Sequence, residues 1–427
     1  MPAARSSSTT SPNLSEPFFQ TGGAVQAAVS QVVAGGISYF TSASNEGSTF
    51  YQHGFQGIRT TLPGLSGNYL ANNFATAAKP SPFESLTIAK GATATIDLQW
   101  DDPFASIGSG HEAASSLGMV LYDSNGKIVA YMMKNDVGGN PNQIMQFTNT
   151  TASTSFRLAI VTNGGGTTPN LFKFIVYGQG TAINDPAAGK GSGSVIGHEL
   201  VAGANTVGAV AASATPVFGG NNHVESFSSA GPGMILFDAD GNRMIEPARP
   251  GKVEFMAPDG VATSVFSQFY GTSAAAPDAA AVAALMLQQN PSLTPGQITA
   301  MLARSAVAAT GPAGATGAGL IQATTAVQLA AAAPRATPAT SVLLSYAAPE
   351  ANSWAQAAAA QVNPVGAAIA AVLGEPGALA DFTAFIDPAD AVVMPGADGP
   401  GAGTDSFAML NNGNQMVVPI YQDWGRA

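Results

Sequence analysis

Hydrophobic spacing changes character twice along the chain. Val25, Ala28, Val29, Val32 and Val33 recur at helical spacing and stop at Gly35 and Gly36, and a short apolar run follows from Ile37 to Thr41. This spacing predicts a helix feeding a buried strand, the texture of an α/β fold. From about Phe83 to Gly178 the period becomes two: Ile96, Leu98 and Trp100 alternate with polar neighbours, as do Phe156, Leu158 and Ile160, then Phe172, Phe174 and Val176. LGMVLYDSNGKIVAYMM reads as a hairpin turning at Asp123 to Gly126. Short strands with no helix between them predict an antiparallel β-sandwich of about 95 residues. From His198 the α/β texture returns, with VAGANTVGAVAAS as a buried strand and a helix after Ser273. The expected architecture is therefore an α/β fold, a parallel sheet with helices on both faces, interrupted by an inserted antiparallel β-sandwich. Its expected parts are 1–79 and 181–330 for the α/β domain, 80–180 for the insertion, and 331–427 for an Ala/Pro/Gly-rich linker and C-terminal extension with no assigned function.

Length and composition narrow the roles. At 427 residues the chain exceeds one average domain, so two or more compact units are expected. Hydrophobic residues make up 46% and charged residues 10%, with a net charge of -11. Such a chain has no basic face for nucleic acid or anionic lipid. Cysteine is absent, which excludes disulfides and thiolate metal sites. Met1 to Thr10 carries one Arg and no apolar core, so it does not read as a secretory signal. The longest apolar run, Ala279 to Leu287, falls short of the roughly 20 residues of a membrane span.

The stretch FYGTSAAAPDAAAVAALMLQQNP places Ser273 between a glycine turn and a helix of small residues. Free N–H groups and the positive end of the helix dipole would stabilise an anion forming beside the serine oxygen. The same serine could serve simply as the helix N-cap, and both readings stand on this stretch alone. Pro277 is expected in the first turn, where a missing N–H costs nothing.

Three more stretches bear on the choice. GTSAAAP resembles the serine box of the subtilisin-like serine proteases, SASNEG their oxyanion asparagine box, and VESFSSAGP a block between the two, all in the family's order. NPSLTPGQITAMLARSA followed by GAGLIQATTAV resembles the family's closing helix and finish. The resemblance covers residues 18–79 and about 196–330. It implies a serine endopeptidase of the subtilase (peptidase S8) family, acting on protein or peptide substrates through an acyl-serine intermediate. Ser273 would be the nucleophile, and the Asn45 side chain would donate to the oxyanion beside the Ser273 backbone N–H. Read by itself, Asn45 fits a turn residue in Ser-Asn-Glu-Gly equally well. Sedolisins share the serine box but carry aspartate at the oxyanion position, so Asn45 favours the subtilisin side.

In this family the serine is activated by a His that an Asp orients, and both precede the asparagine box. Residues 1–44 contain neither type, so the chain is expected to begin partway through the fold, with an open sheet edge, and to hydrolyse peptides poorly as written. His53 is followed by Gly54 but then by Phe55 rather than Ser or Thr, and it follows Asn45 instead of preceding it. His111 falls in the predicted sandwich, and His198 and His223 read as surface or structural residues. Four scattered His form no metal-ligand spacing. DSNG and DADGNR could recruit structural Ca²⁺ or simply form turns, and no metal or other cofactor is assigned. The family resemblance implies secretion or cell-surface exposure for a full-length protein. The competing expectation is a catalytically inactive scaffold that presents the sandwich as a binding module.

Overall fold

The computed structural model describes residues 16–108, 110–164, 166–184 and 193–335, with the backbone of 391–393, 405–411 and 415–421. Helix α1 (Ala24–Ala34) leads into strand β1 (Ser38–Ser42), as the helical spacing of valines predicts. Next come β2 (Phe50–Gly54), β3 (Gly57–Thr60), β4 (Tyr69–Asn72), β5 (Glu84–Ile88), β6 (Thr93–Trp100), β7 (Leu117–Asp123) and β8 (Ile128–Met132). The run continues with β9 (Asn142–Thr148), β10 (Ser155–Thr162), β11 (Leu171–Tyr177) and β12 (Thr181–Ile183). A turn of 3₁₀ helix at Gly197–Leu200 precedes β13 (Ala204–Ala211), β14 (Ile235–Phe237), β15 (Arg243–Ala248) and β16 (Phe255–Asp259). Helices α2 (Thr272–Gln289), α3 (Pro295–Ser305) and α4 (Ala323–Ala332) follow.

Strands β1, β13 and β16 run parallel, with Phe40 opposite Asn205 and Val207 opposite Phe255. Alternation along β1 sends successive side chains to opposite faces. Phe40 packs with Val207, Ala209 and Phe255 beneath α2, α3 and α4, whereas Tyr39 packs with Val29 of α1. Helices thus cover both faces of the parallel sheet. Helix α2 approaches closely because Ala275, Ala279, Ala280 and Ala283 present little more than a methyl group to the sheet. Helix α3 starts with a capping box, Thr294 with Gln297, and Pro295 at its first position.

Although β1 and β13 are neighbours in the sheet, the chain between them forms two antiparallel sheets. One is β2-β11-β6-β9. In the other, β10 pairs with β5 along one edge and with β7 along the opposite edge. Their facing sides share one core that includes Leu98, Trp100, Phe172 and Phe174 from the first sheet and Leu121, Phe156, Leu158 and Ile160 from the second. All of these except Leu121 belong to the triplets whose period of two marked the region in the sequence. The hairpin at Asp123 is present: Asp123 Oδ1 accepts the N–H groups of Asn125 and Lys127. Asp238 serves the DADGN turn in the same way, accepting from Asp240 and Asn242.

Antiparallel pairing begins at Phe50 rather than near residue 80, because β2 pairs with β11 and β3 with β4. The pattern of two does not announce β2, whose first three residues are all buried. The outer face of β11 docks against the rest of the molecule: Ile175 and Tyr177 pack with Phe18, Phe19 and Phe237. Lys173 lies on that face, buried among the rings of Phe18, Phe19 and Phe50, and donates to the Gly193 carbonyl at 2.8 Å. Burial pulls its ammonium down to about 7.

Most of the expected linker and C-terminal extension, 331–427, lies outside the described residues. Three short strands within it are described: β17 (Ala391–Val393), β18 (Asp405–Asn411) and β19 (Gln415–Tyr421). β19 pairs in parallel with β1, Ser38 opposite Met416 and Tyr39 opposite Val417. The chain's own C-terminal strands thus pair with β1 on the side away from β13. Among the described residues, no helix is long and apolar enough to cross a membrane.

Candidate active site

Three stretches, the first about 180 residues or more from the other two, converge where β1 ends and α2 begins. At the end of β1 the chain turns sharply at Ser44, which adopts φ 67, a left-handed conformation costly for a residue with a side chain. The Ser44 hydroxyl donates to Glu199 Oε1, and the Ser44 carbonyl accepts from Ser229 at 3.1 Å. The loop is then pinned to the VESFSSAGP block: Glu46 N–H donates to Ser229 Oγ at 3.1 Å and Gly47 N–H to the Phe227 carbonyl at 2.8 Å. Asn45 itself is not the left-handed residue of this turn, so a turn role does not account for its side chain.

That side chain reaches α2. Asn45 Oδ1 accepts two hydrogen bonds, from the backbone N–H and the hydroxyl of Thr272, each at 3.0 Å. A backbone N–H can only donate, so this contact assigns the carbonyl end of the amide and leaves its NH₂ end free to donate elsewhere. A Cβ placed on Gly271 would come 3.3 Å from Asn45 Nδ2 and 3.8 Å from Ser273 N. The amide and the serine's backbone N–H thus border the same small space, which stays open because residue 271 is glycine.

Gly271 caps α2 with φ 110 and ψ 160, a backbone region that glycine tolerates best, and having no side chain it makes no cap bond of its own. Ser273 is the second residue of the helix and not its N-cap, which removes the simpler explanation of its position. It is 7% exposed rather than open to solvent, because small residues around it bring α2 tight against β1, β13 and β16. Pro277 also differs from expectation. It is the sixth residue of α2, beyond the first turn. Its nitrogen is the one that would have bonded the Ser273 carbonyl, four residues back, so that carbonyl loses its helical partner.

Acidic side chains cluster around the convergence. Glu46 Oε2 accepts the Asn45 N–H at 2.9 Å, and burial, reinforced by the Glu199 charge, pushes its carboxyl up to about 8. Burial likewise raises Glu199 to about 7. On the far side of the serine turn, Asp259 Oδ2 accepts the Gly271 N–H at 2.7 Å, and burial lifts this carboxyl to about 6. Asp278 of α2 is raised to about 6 by burial and then by the Asp259 charge.

The four histidines are placed elsewhere. His198 is buried, with Nδ1 2.7 Å from Glu16 Oε1 and Nε2 2.9 Å from Thr41 Oγ1. Thr41 shares the Tyr39 side of β1, so His198 lies on the α1 face of the sheet, opposite α2. It is structural, as expected, though not at the surface. His53 is exposed on β2, its Nδ1 2.9 Å from the Gly54 carbonyl, and His223 is exposed 3.1 Å from Thr310 Oγ1. His111 is exposed and sits against Gly241.

The structure thus brings together the two residues singled out in the sequence, Asn45 and Ser273, and adds Thr272, Asp259, Ser44 and Glu199. Thr272 stood inside the quoted serine box. Glu199 carried no local signal, being 155 residues from its partner Ser44.

No curated protein sequence matches the chain. Among solved structures, a Clostridium perfringens CspB protease is similar over 68% of this chain and 58% of its own, with 13% identity and a TM-score of 0.37. The self-cleaved protease domain of PatA is similar over 32% of this chain and 44% of its own, at 19% identity and a TM-score of 0.22. A protease of Pseudoalteromonas arctica is similar over 30% of this chain and 36% of its own, at 22% identity and a TM-score of 0.18. The chain therefore spans less than two thirds of each of these proteins. The model of the subtilase family matches residues 6–319. The chain belongs to the subtilase family.

Proposed function

We propose that this protein is a subtilisin-like serine endopeptidase in which Ser273 is the nucleophile and Asn45 an oxyanion donor. The observation that carries the reading is the hold of Thr272 on Asn45 Oδ1, which turns the amide NH₂ toward the space beside the Ser273 N–H. In this chemistry Ser273 Oγ attacks the scissile carbonyl carbon while its proton passes to a base. The carbonyl oxygen takes the negative charge between the Asn45 amide and the backbone N–H. The amine then leaves, and water releases the acyl group. A donor pair aimed at charge that exists only in the tetrahedral intermediate lowers the barrier, by roughly 3 to 4 kcal/mol per side-chain donor; that magnitude was measured in a subtilisin. His198 is held by Glu16 and Thr41 on the opposite face of the sheet, so it is not placed to be that base. We read the two facing antiparallel sheets as an inserted β-sandwich that contacts substrate or surface ligands without taking part in the chemistry. An exported protein acting on proteins or peptides fits this reading, with no role for nucleic acid and no assigned metal.

A second reading is a non-catalytic subtilase scaffold that presents the sandwich. The partners found for His198, His53 and His223, which are Glu16 and Thr41, Gly54, and Thr310, favour it. One experiment separates the two: treat the 427-residue chain and a version extended upstream in its reading frame with a fluorophosphonate probe, and map the label by mass spectrometry. The peptidase reading expects strong labelling of Ser273 in the extended protein, abolished by Ser273→Ala, and weak labelling of the shorter chain. An extended protein that stays unlabelled and leaves peptide substrates intact would sustain the scaffold reading instead.

A further inference from the structure

The residue under the serine turn is a carboxylic acid with no exposure. Asp259 ends β16 and is 0% exposed, and its Oδ2 accepts the Gly271 N–H at 2.7 Å. The intervening loop closes on itself: Gly260 N–H donates to the Phe269 carbonyl at 2.7 Å and Phe269 N–H to Val261 at 2.8 Å. This pinch sets Asp259 opposite Gly271. The other carboxyl oxygen, Oδ1, is buried and has no hydrogen-bond partner among the described residues. A buried polar atom left without a partner costs free energy, and an apolar residue at the end of β16 would avoid that cost. Two more acids press on the group: Glu225, from the segment after β13, raises it, and Asp278 of α2 feels its charge. A carboxyl kept in so unfavourable a place points to a task, and among the described residues the hydrogen bond its side chain makes leads to the turn that presents the serine.

We propose that Asp259 is a positioning residue for Ser273, holding the Gly271 amide and through it the turn that sets both the serine and the contact of Thr272 with Asn45. Gly271 is the hinge of this arrangement. Its conformation aims the Thr272 N–H at Asn45 and the Ser273 N–H at the neighbouring space, and its carbonyl accepts the Ala274 N–H at 2.9 Å. Among the described residues Asp259 is the acceptor of the Gly271 N–H, so losing the carboxyl releases that amide. The inference rests on the reading of Ser273 as the nucleophile for its functional meaning, while the positioning itself is measurable without catalysis.

The test compares Asp259→Asn with Asp259→Leu in the full 427-residue chain by amide hydrogen exchange of the peptide spanning 268–275. The asparagine keeps a carbonyl oxygen able to accept from Gly271, so its exchange should stay within about twofold of the parent. The leucine lacks an acceptor and should raise exchange in that peptide at least tenfold, with the remainder of α2 unchanged. Where the leucine variant does not fold, Asp259→Ala gives the same comparison without the added bulk. Unchanged exchange in the folded leucine or alanine variant overturns the proposal, and so does a loss in Asp259→Asn as large as in Asp259→Leu. Fluorophosphonate labelling of the same samples, alone and in the upstream-extended protein, reports separately on Ser273 as nucleophile. Failure of that reading leaves the exchange result standing.

Discussion

Asn45 and Thr272 are 227 residues apart in sequence and joined by two hydrogen bonds, both accepted by the same Asn45 oxygen at 3.0 Å. The carbonyl end of the amide therefore holds the fold, and the NH₂ end takes no part in that contact. The two ends can be separated by substitution. Asn45→Asp keeps the acceptor and should leave thermal stability within about 0.5 kcal/mol of the parent, while removing the proposed oxyanion donor. Asn45→Ala strands both Thr272 donors and should cost about 1 to 3 kcal/mol. Denaturant titration of the two variants checks this. Equal destabilisation by both would mean that the NH₂ end also carries structural weight.

Ser44 combines a left-handed backbone with a hydrogen bond to Glu199. Ser44→Ala keeps the strained φ and gives up the bond, so it should lose about 1 to 2 kcal/mol. Ser44→Gly gives up the same bond but relieves about 1 kcal/mol of strain, and should lie close to the parent. The order glycine above alanine in melting temperature is the outcome to look for, and the reverse order would show that the strain is not real.

Stability should rise as the pH falls from 7 to 5. Glu46 and Glu199 are raised from 4.5 to about 8 and about 7, and Asp259 and Asp278 from 3.8 to about 6, in every case chiefly by burial. The folded chain thus keeps protons that the unfolded chain releases, and these groups contribute stability that is complete near pH 4 and is lost as the pH climbs through about 6 to 8. Lys173, lowered by burial from 10.5 to about 7, acts in the opposite sense: its contribution is present above 10.5 and lost as the pH falls to 7. The two effects oppose one another above neutrality, and between pH 7 and 5 the acids act alone. A melting temperature several degrees higher at pH 5 than at pH 7 is expected, with a smaller difference in Glu199→Gln. A flat or inverted profile would contradict the burial of these carboxyls.

Close approach of α2 to the sheet depends on its alanines. Ala279 is fully buried between the helix and the side chains of the parallel strands. Ala279→Leu overfills that layer and should cost about 1 to 3 kcal/mol. It should also lift the start of α2 away from Asn45. Faster amide exchange at Thr272, alongside the loss of stability, is the combined signature to measure; a loss of stability with Thr272 still protected would place the strain elsewhere.

Much of the architecture could be read from local spacing, because a strand or helix buried on one face must repeat its apolar residues at its own period. Val25 to Val33 marked α1, the alternating triplets at 96–100, 156–160 and 172–176 marked the shared core of the antiparallel sheets, and the order of the quoted boxes marked the family. Asn45 and Ser273 were singled out because the runs SASNEG and GTSAAAP resemble boxes of the subtilase family. The rest depended on contacts between distant segments. β2 escaped notice because its leading residues are buried on both sides, which erases the alternation. Lys173 reads as a surface residue until Phe18, Phe19 and Phe50 close over it. Whether Ser273 is exposed, which face of the sheet His198 occupies and what Asp259 holds were all decided by tertiary packing. A polar side chain carries no periodic signature of the partner it will find, so only the folded chain reveals which donors and acceptors meet.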